Sequence, residues 1–251
     1  MITDLIIPAF NEEQTIGKLI EQITAQQKQT PENKLFRNIW VVDNNSTDRT
    51  KQIAKQAGAK VVCQSIRGYG AACLKGIDHV RIENQNNPAL AAQAVAFLDA
   101  DLSDDWAYLE KLIQKLVTEK CDMIIGSRVK NAQARSLSTI QKFGNALSCH
   151  LIKLCTGKRF SDLGPMRIVR WEALEKMKMK DQTWGWTVEM QYKAAALGLK
   201  CSEVDVPYRM RGGGKSKISG TLLGSAKAGY KILTTIAKLR LTLKHIKSKN
   251  P

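Results

Sequence analysis

The sequence predicts an α/β fold: a mostly parallel sheet flanked by helices, followed by a basic helical C-terminal extension. Three observations lead there. Short apolar runs alternate with amphipathic helical stretches through the first half of the chain. Those runs are apolar throughout rather than at every second residue, as in strands covered on both faces. Lysine and arginine gather, without acids, in the second half. A chain of 251 residues, 43% of them hydrophobic, is long enough to bury a full core of this kind.

The elements follow in order. Asp4–Pro8 (DLIIP) reads as the first strand and Glu13–Gln26 as its helix, with Ile16, Leu19, Ile20 and Ile23 at helical spacing. Ile39–Val42 is the second strand, with a helix opening near Asp48. Val61–Cys63 is the third, followed by a Gly-bearing turn and a helix through Leu74 and Ile77. Ala94–Leu98 is the fourth, Asp105–Thr118 its helix, and Met123–Ile125 the fifth strand. Past Ser127 the pattern changes to a basic helix-like stretch (Thr139–Leu154), a turn at Gly164–Pro165, and helices around Trp171–Met177 and Thr187–Leu197. A strand-like Cys201–Pro207 leads to a glycine-rich loop, Gly212–Gly214, and from Ile218 to Ile246 apolar residues stand among lysines. Residues 1–217 are therefore expected to form one domain and 218–251 a basic amphipathic helical segment.

Charge is unevenly placed. The net +16 comes from Met123–Ser161, with seven Lys/Arg and no acid, and Val206–Pro251, with eleven and no acid; the rest of the chain holds 21 bases against 23 acids. Two such surfaces suit anionic partners, among them an anionic membrane surface. The five phenylalanines and five tyrosines show no RNP-like grouping, so no nucleic-acid partner is expected. Six cysteines without a CxxC pair or zinc spacing read as reduced thiols, and His79, His150 and His245 are scattered. No apolar run approaches the ~20 residues of a spanning helix. The opening MITDLIIPAF has neither a basic n-region nor an apolar h-region. The expected location is cytoplasmic, peripheral on the cytoplasmic face of a membrane.

In parallel sheets ligands bind beyond the carboxyl ends of the strands, so the polar residues that follow each strand come first. FLDADLSDD, Phe97–Asp105, ends a strand in Asp-x-Asp and places Asp99 and Asp101 where two carboxylates can share one hard cation, Mg²⁺ or Mn²⁺, with substrate phosphates filling its other positions. Asp104 and Asp105 precede a helix and suit capping. An EF-hand is excluded because Asp104 stands where that loop needs glycine and a strand precedes it. RGYGAACLKG, Arg67–Gly76, follows the third strand and has Cys73 at the last glycine position, so it is not a dinucleotide fingerprint.

PAFNEE (Pro8–Glu13), VVDNNSTDRT (Val41–Thr50) and DADLS, each after its strand, together resemble the family 2 glycosyltransferases and their GT-A fold. The resemblance implies that Pro8, Phe10 and Glu12 border the nucleotide base and ribose, that Asp43 hydrogen-bonds the nucleoside, and that Gly70 and Ala71 lie near the nucleotide. It also implies that Asp99, Ala100 and Asp101 bind the metal–diphosphate. Ser103 stands where relatives carry Gln and is the candidate third metal contact. The second half, with GSR (Gly126–Arg128), Arg135, DLGPMR (Asp162–Arg167), the WTVEM helix and RGGGKSK (Arg211–Lys217), is similar to the dolichol- and polyprenol-phosphate mannosyl- and glucosyltransferase branch. There Arg128, Arg135, Arg211 and Lys217 would grip the donor diphosphate and the acceptor phosphate, as guanidinium forks suit phosphate oxygens.

The implied reaction moves a hexose from a UDP- or GDP-sugar to a polyprenyl-phosphate or similar lipid acceptor, by single displacement with inversion. A phosphate acceptor needs no general base; for a hydroxyl acceptor, soluble or on a glycan, Glu189 is the carboxylate nominated, with a helix-positioning role as its alternative. Trp184 and Trp186 are candidates for stacking on sugar or lipid, or for the core. Homo-oligomerisation is left open.

Overall fold

The apolar runs of the first half become the centre of one seven-stranded sheet. The computed structural model describes residues 1–29, 34–134, 136–213 and 222–249, with side chains of the last helix described over 229–242. The elements are β1 (Thr3–Ala9), α1 (Ile16–Gln29), β2 (Ile39–Asp43), α2 (Thr50–Gln56), β3 (Lys60–Cys63), α3 (Tyr69–Asn86), β4 (Ala94–Phe97), α4 (Tyr108–Thr118), β5 (Met123–Ser127), α5 (Thr139–Thr156), β6 (Arg167–Arg170), α6 (Trp171–Met177), α7 (Trp186–Ala196), β7 (Cys201–Asp205) and α8 (Leu222–Lys249). The strand order is β3-β2-β1-β4-β6-β5-β7. All pairings are parallel except those of β6, which runs antiparallel to both β4 and β5.

β6 is the element missed in the sequence. Its four residues, Arg-Ile-Val-Arg, sit between a Gly-Pro turn and a helix, too short and too charged at their ends to read as a strand. It fits because Arg170 turns its guanidinium to the carbonyls of Cys121 and Leu116. The ends of β1 and β2 are level, with Ala9 opposite Asp43, so Phe10 and Asn44 leave the sheet side by side.

Alternate residues of each central strand feed two cores. Leu5, Ile7, Val41 and Ala96 pack under α1, α2 and α4, while Ile6, Val42, Val95 and Phe97 pack under α3, α5, α6, α7 and α8. At about 25 cal/mol per Å² of apolar surface removed from water, this burial on both faces is the main stabilising term. Four of the six cysteines are buried, all six are free thiols, and Cys63, on edge strand β3, is exposed.

α5 begins where Ser138 accepts the Gln141 N–H and Gln141 accepts the Ser138 N–H in return, and ends at Gly157, whose φ of 79° suits glycine. α8 packs on α5 and α7 through Ile232, Thr235, Ile236 and Leu239, and Lys231 pairs with Asp181 at 3.1 Å. The tail is thus a helix docked on the domain along one side. The boundary between 217 and 218 lies outside the described residues. No helix among the described residues is long and apolar enough to cross a membrane.

Candidate active site

The carboxyl ends of β1, β2 and β4 carry Asn11, Asn45 and Leu102, all with positive φ (54°, 63° and 61°). Asparagine tolerates that region, but a leucine there is strained, and such residues gather at functional sites. The turn at Leu102 lets the Asp101 carboxylate curl back on its own chain: its Oδ1 accepts the Ser103 N–H at 2.9 Å and the Ser103 hydroxyl. Its Oδ2 faces the Arg211 Nη1 at 2.6 Å, and Arg211 Nη2 donates to Glu12 Oε1 at 2.6 Å. Glu12 is fixed in turn by its N–H on Thr50 Oγ1. Thus three chain segments meet at one guanidinium.

Asp99 accepts a hydrogen bond from the Tyr69 hydroxyl at 3.0 Å. Desolvation and the nearby negative charge of Asp101 push its carboxyl up to about 7, against the Tyr69 bond and the charges of Arg128 and Arg211. Two oxygen-donor groups that repel each other at a strand end fit a hard divalent cation, which would relieve that repulsion. Among the described residues no group of three His, Cys, Asp or Glu side chains forms a closed metal cage. Asp99 and Asp101 alone thus offer two carboxylates to such an ion, whose other positions would need oxygens from outside these side chains. Ser103 is buried behind Asp101, orienting it by hydrogen bond.

Beside this pair opens a pocket of about 430 Å³. It brings together the predicted Pro8, Phe10, Glu12, Asp99, Ala100, Asp101 and Arg211. Outside the residues expected at the donor site, it also takes in Asn44, Arg67, Gly68, Tyr69 and Thr183, and Trp184 at 38% exposure. Arg67 lies over the Phe10 ring at 4.8 Å. Asn44 donates to the carbonyls of Gln64 and Ile66 and accepts the Gly68 N–H, tying the end of β2 to the glycine turn. Asp43, buried at the same strand end, accepts weakly from the Ser46 N–H at 3.4 Å through Oδ2, while its buried Oδ1 has no partner. Asp43 itself does not line the pocket, whereas Asn44 beside it does.

The structure gives other predicted residues different work. The glycine turn meets protein where the nucleotide was expected: Gly70 and Ala71 donate to the Thr183 and Gln182 carbonyls, and a Cβ on Gly70 would come within 2.0 Å of the Asp181 carbonyl. Arg128 grips Asp162 with Nε at 2.7 Å and Nη2 at 2.8 Å, and also lies over Tyr208. Burial alone would raise the Asp162 pKa, but the Arg128 charge and hydrogen bonds outweigh it and hold the carboxyl below its ordinary value. Arg128 therefore anchors the 162–165 turn to β5. Glu189 is not a base at the pocket. Buried at the start of α7, it accepts the Lys180 and Asp181 N–H groups and pairs with Lys193 at 2.7 Å, which fixes the segment that carries Trp184. Trp186 is core, 0% exposed and edge-on to Phe97 and Tyr69. Of the helix-capping pair, Asp105 accepts the Ala107 N–H and pairs with Arg209, while Asp104 is buried with both oxygens unpartnered. Arg135 and Lys217 lie outside the described residues.

Residues 4–198 match the family model described as glycosyl transferase family 2. The chain belongs to glycosyl transferase family 2. An uncharacterized glycosyltransferase of Mycobacterium tuberculosis is 33% identical to it over 221 residues, 88% of this chain and 91% of that protein. A dolichyl-phosphate hexose transferase of Haloferax volcanii is 27% identical over 245 residues, 95% and 96% of the two chains. A dolichyl-phosphate beta-glucosyltransferase of Trichomonas vaginalis is 29% identical over 235 residues, 87% of this chain and 69% of that one. In fold, this glycosyltransferase matches glucosyl-3-phosphoglycerate synthase of M. tuberculosis, solved with phosphoglyceric acid, with a TM-score of 0.70 at 18% identity over 94% of this chain and 80% of the other. That synthase was also solved with Mn²⁺, UDP and glucosyl-3-phosphoglycerate.

Of the residues missed, Tyr69 and Arg67 lie in a segment whose glycines had drawn the attention, and Asn44 directly follows Asp43 in the quoted VVDNNS motif. Arg167 is a fully buried cation held by the Leu163, Gly164 and Thr187 carbonyls and by Gln191. Burial lowers its pKa to about 10. Nothing in an MRI tripeptide signals that.

Proposed function

We propose that this family 2 glycosyltransferase moves a hexose from a nucleoside diphosphate sugar to a polyprenyl phosphate or similar lipid phosphate, with inversion, using Mg²⁺ or Mn²⁺ at Asp99 and Asp101. The observation that carries the reading is the mutually repelling Asp99–Asp101 pair opening into one pocket with Glu12, Arg211 and Trp184. A bound divalent ion supplies charge stabilisation for the departing diphosphate. Arg211 adds a second positive charge at the same place, and in a pocket partly closed to water such preorganised charge is worth more than in solution. Phe10 with Arg67 walls the base, and Trp184 packs against the hexose. A phosphate acceptor attacks as an anion, so no base is required, in keeping with the engagement of Glu189 elsewhere.

The names of the Haloferax and Trichomonas relatives support a lipid-phosphate acceptor, and the Mn²⁺ and UDP complexes of the synthase support the metal and favour UDP over GDP as donor base. A soluble phosphorylated acceptor is the second reading, favoured by the phosphoglyceric acid in the synthase. The test is a transfer assay with UDP-glucose or GDP-mannose and Mn²⁺, offering a polyprenyl phosphate in detergent or 3-phosphoglycerate, with products read by mass spectrometry. Hexose on the polyprenyl phosphate is the expected product. Transfer to phosphoglycerate with none to the lipid would overturn the acceptor class.

A further inference from the structure

The tail helix is not alone in showing an apolar outer side. On α5, Ile140, Phe143 and Leu154 stand at intervals of three and eleven residues, which on a helix bring them to one stripe. Phe143 is 69% and Leu154 68% exposed. The buried side of the same helix is Ser148, Cys149 and Ile152. On α8, Tyr230, Leu233 and Leu241 form a second stripe, Tyr230 at 73% and Leu241 at 69% exposure, opposite the packed Ile232, Thr235, Ile236 and Leu239. The two helices pack on each other and both pack on α7, so the sides turned away from α7 belong to one outer layer. Single exposed apolar residues are ordinary, but two adjacent stripes with a phenylalanine, a tyrosine and three leucines are not.

Charge indicates what covers this layer. α5 and α8 together contain nine Lys/Arg and no Asp or Glu. Among the described residues Lys142, Lys238 and Arg240 are exposed on these helices and enter no ion pair, and an anionic bilayer offers headgroup phosphates to such cations and acyl chains to the apolar stripes. The layer also reaches the active site. α8 holds the 181–185 segment through Lys231 on Asp181, and a Cβ on Gly185 would press Thr235 Oγ1 at 2.6 Å. α5 holds the 161–163 turn, with Asn145 accepting the Leu163 N–H and donating to the Ser161 carbonyl.

We propose that α5 and α8 together form a membrane-docking face for an anionic lipid surface, with α5 contributing as much as the tail. This deepens the lipid-acceptor reading and rests on it for its purpose: the face seats the enzyme on the bilayer in which such an acceptor resides, with the braced segment that carries Trp184 directly behind it.

Co-sedimentation of the full chain with phosphatidylcholine vesicles, with and without phosphatidylglycerol, tests this. Binding should require the anionic lipid and decline with added salt, because exposed charge attraction is screened over about 10 Å at 0.1 M salt. Phe143→Glu/Leu154→Glu on α5, and separately Tyr230→Glu/Leu241→Glu on α8, should each lower the partition coefficient about tenfold or more, with Ser in place of Glu as a second set should the charged variants melt early. Wild-type partition in the α5 variants would overturn the proposal, as would absence of binding by the intact protein. Light scattering covers the remaining case: if the substitutions split a dimer and leave vesicle binding unchanged, the face joins two copies and the proposal fails. Transfer to a short-chain, water-soluble prenyl phosphate should be untouched by these variants. Failure of the wild type to use that acceptor would count against the lipid-acceptor reading, whatever the vesicles show.

Discussion

Arg211 divides its guanidinium between Glu12 and Asp101 at the pocket, whereas Arg128 commits its own to Asp162 on the side of β5. The two arginines should therefore respond differently to removal. Arg128→Ala leaves Asp162 buried without its counter-charge, and breaking such a pair costs about 3–5 kcal/mol, so a large fall in melting temperature is expected. Arg211→Ala also removes the counter-charge of Glu12 and Asp101, but these acids line the pocket, where water and cations reach them, so its fall in melting temperature should be clearly the smaller of the two while most turnover is lost. Matching losses of stability in the two would contradict the division. The Arg128–Asp162 pair also has a pH signature. The Asp162 carboxyl is held below its ordinary value, so the stability it contributes is full above the unfolded pKa of about 3.9 and is lost as pH falls through the lower folded value. The gap in melting temperature between wild type and Asp162→Asn should be constant from neutral pH to about 5 and shrink in more acid solution. A gap unchanged down to pH ~3 would mean that the charge of Asp162 is not what stabilises the turn.

At the scale of elements, the segment from Asp181 to Gly185 ties the molecule together: the glycine turn of α3 packs on one side of it, Glu189 fixes its backbone, and α8 backs the other. Gly70→Ala should weaken donor binding as well as folding, since its Cβ has no room beside the Asp181 carbonyl. The two neighbouring tryptophans separate the roles. Trp186→Ala removes a fully buried ring and should cost about 3–5 kcal/mol. Trp184→Ala should leave the melting temperature in place and lower kcat/KM for transfer. If Trp184→Ala unfolds the protein and Trp186→Ala does not, the assignment is reversed.

These elements also show how far the sequence was legible. DADLS, PAFNEE and VVD could be placed because each follows an apolar strand directly, and strand ends in a parallel sheet converge. Asp99, Asp101, Glu12 and Phe10 were visible for that reason. The family resemblance gives Arg128 to phosphate, and no acid stands near it in the chain to suggest otherwise, yet its partner Asp162 is 34 residues away and reaches it through the fold. The glycines of Gly68–Gly70 did mark a close backbone approach, but the neighbour is the 181–183 segment, more than a hundred residues on, which no local pattern announces. β6 and the buried Arg167 escaped for the same reason: four residues of mixed polarity become a strand only because β4 and β5 are there to pair with them.

For the whole molecule, Glu12, Asp99 and Asp101 meet at one pocket at the sheet's carboxyl edge, while α5 and α8 carry nine Lys/Arg and no acid. The donor end should accordingly depend on a cation, and the helical layer on anions. The first of these is the central claim. Calorimetric titration of the intact protein with UDP and with GDP, in Mn²⁺ and again in chelator, measures it most directly, with Asp101→Ala run in parallel. Binding of one nucleotide should weaken about tenfold or more on removing the metal, at least about 1.4 kcal/mol, and to a similar degree in Asp101→Ala. Equal affinity with and without Mn²⁺, or an Asp101→Ala variant that still gains affinity from the metal as the wild type does, would contradict the Asp99–Asp101 site.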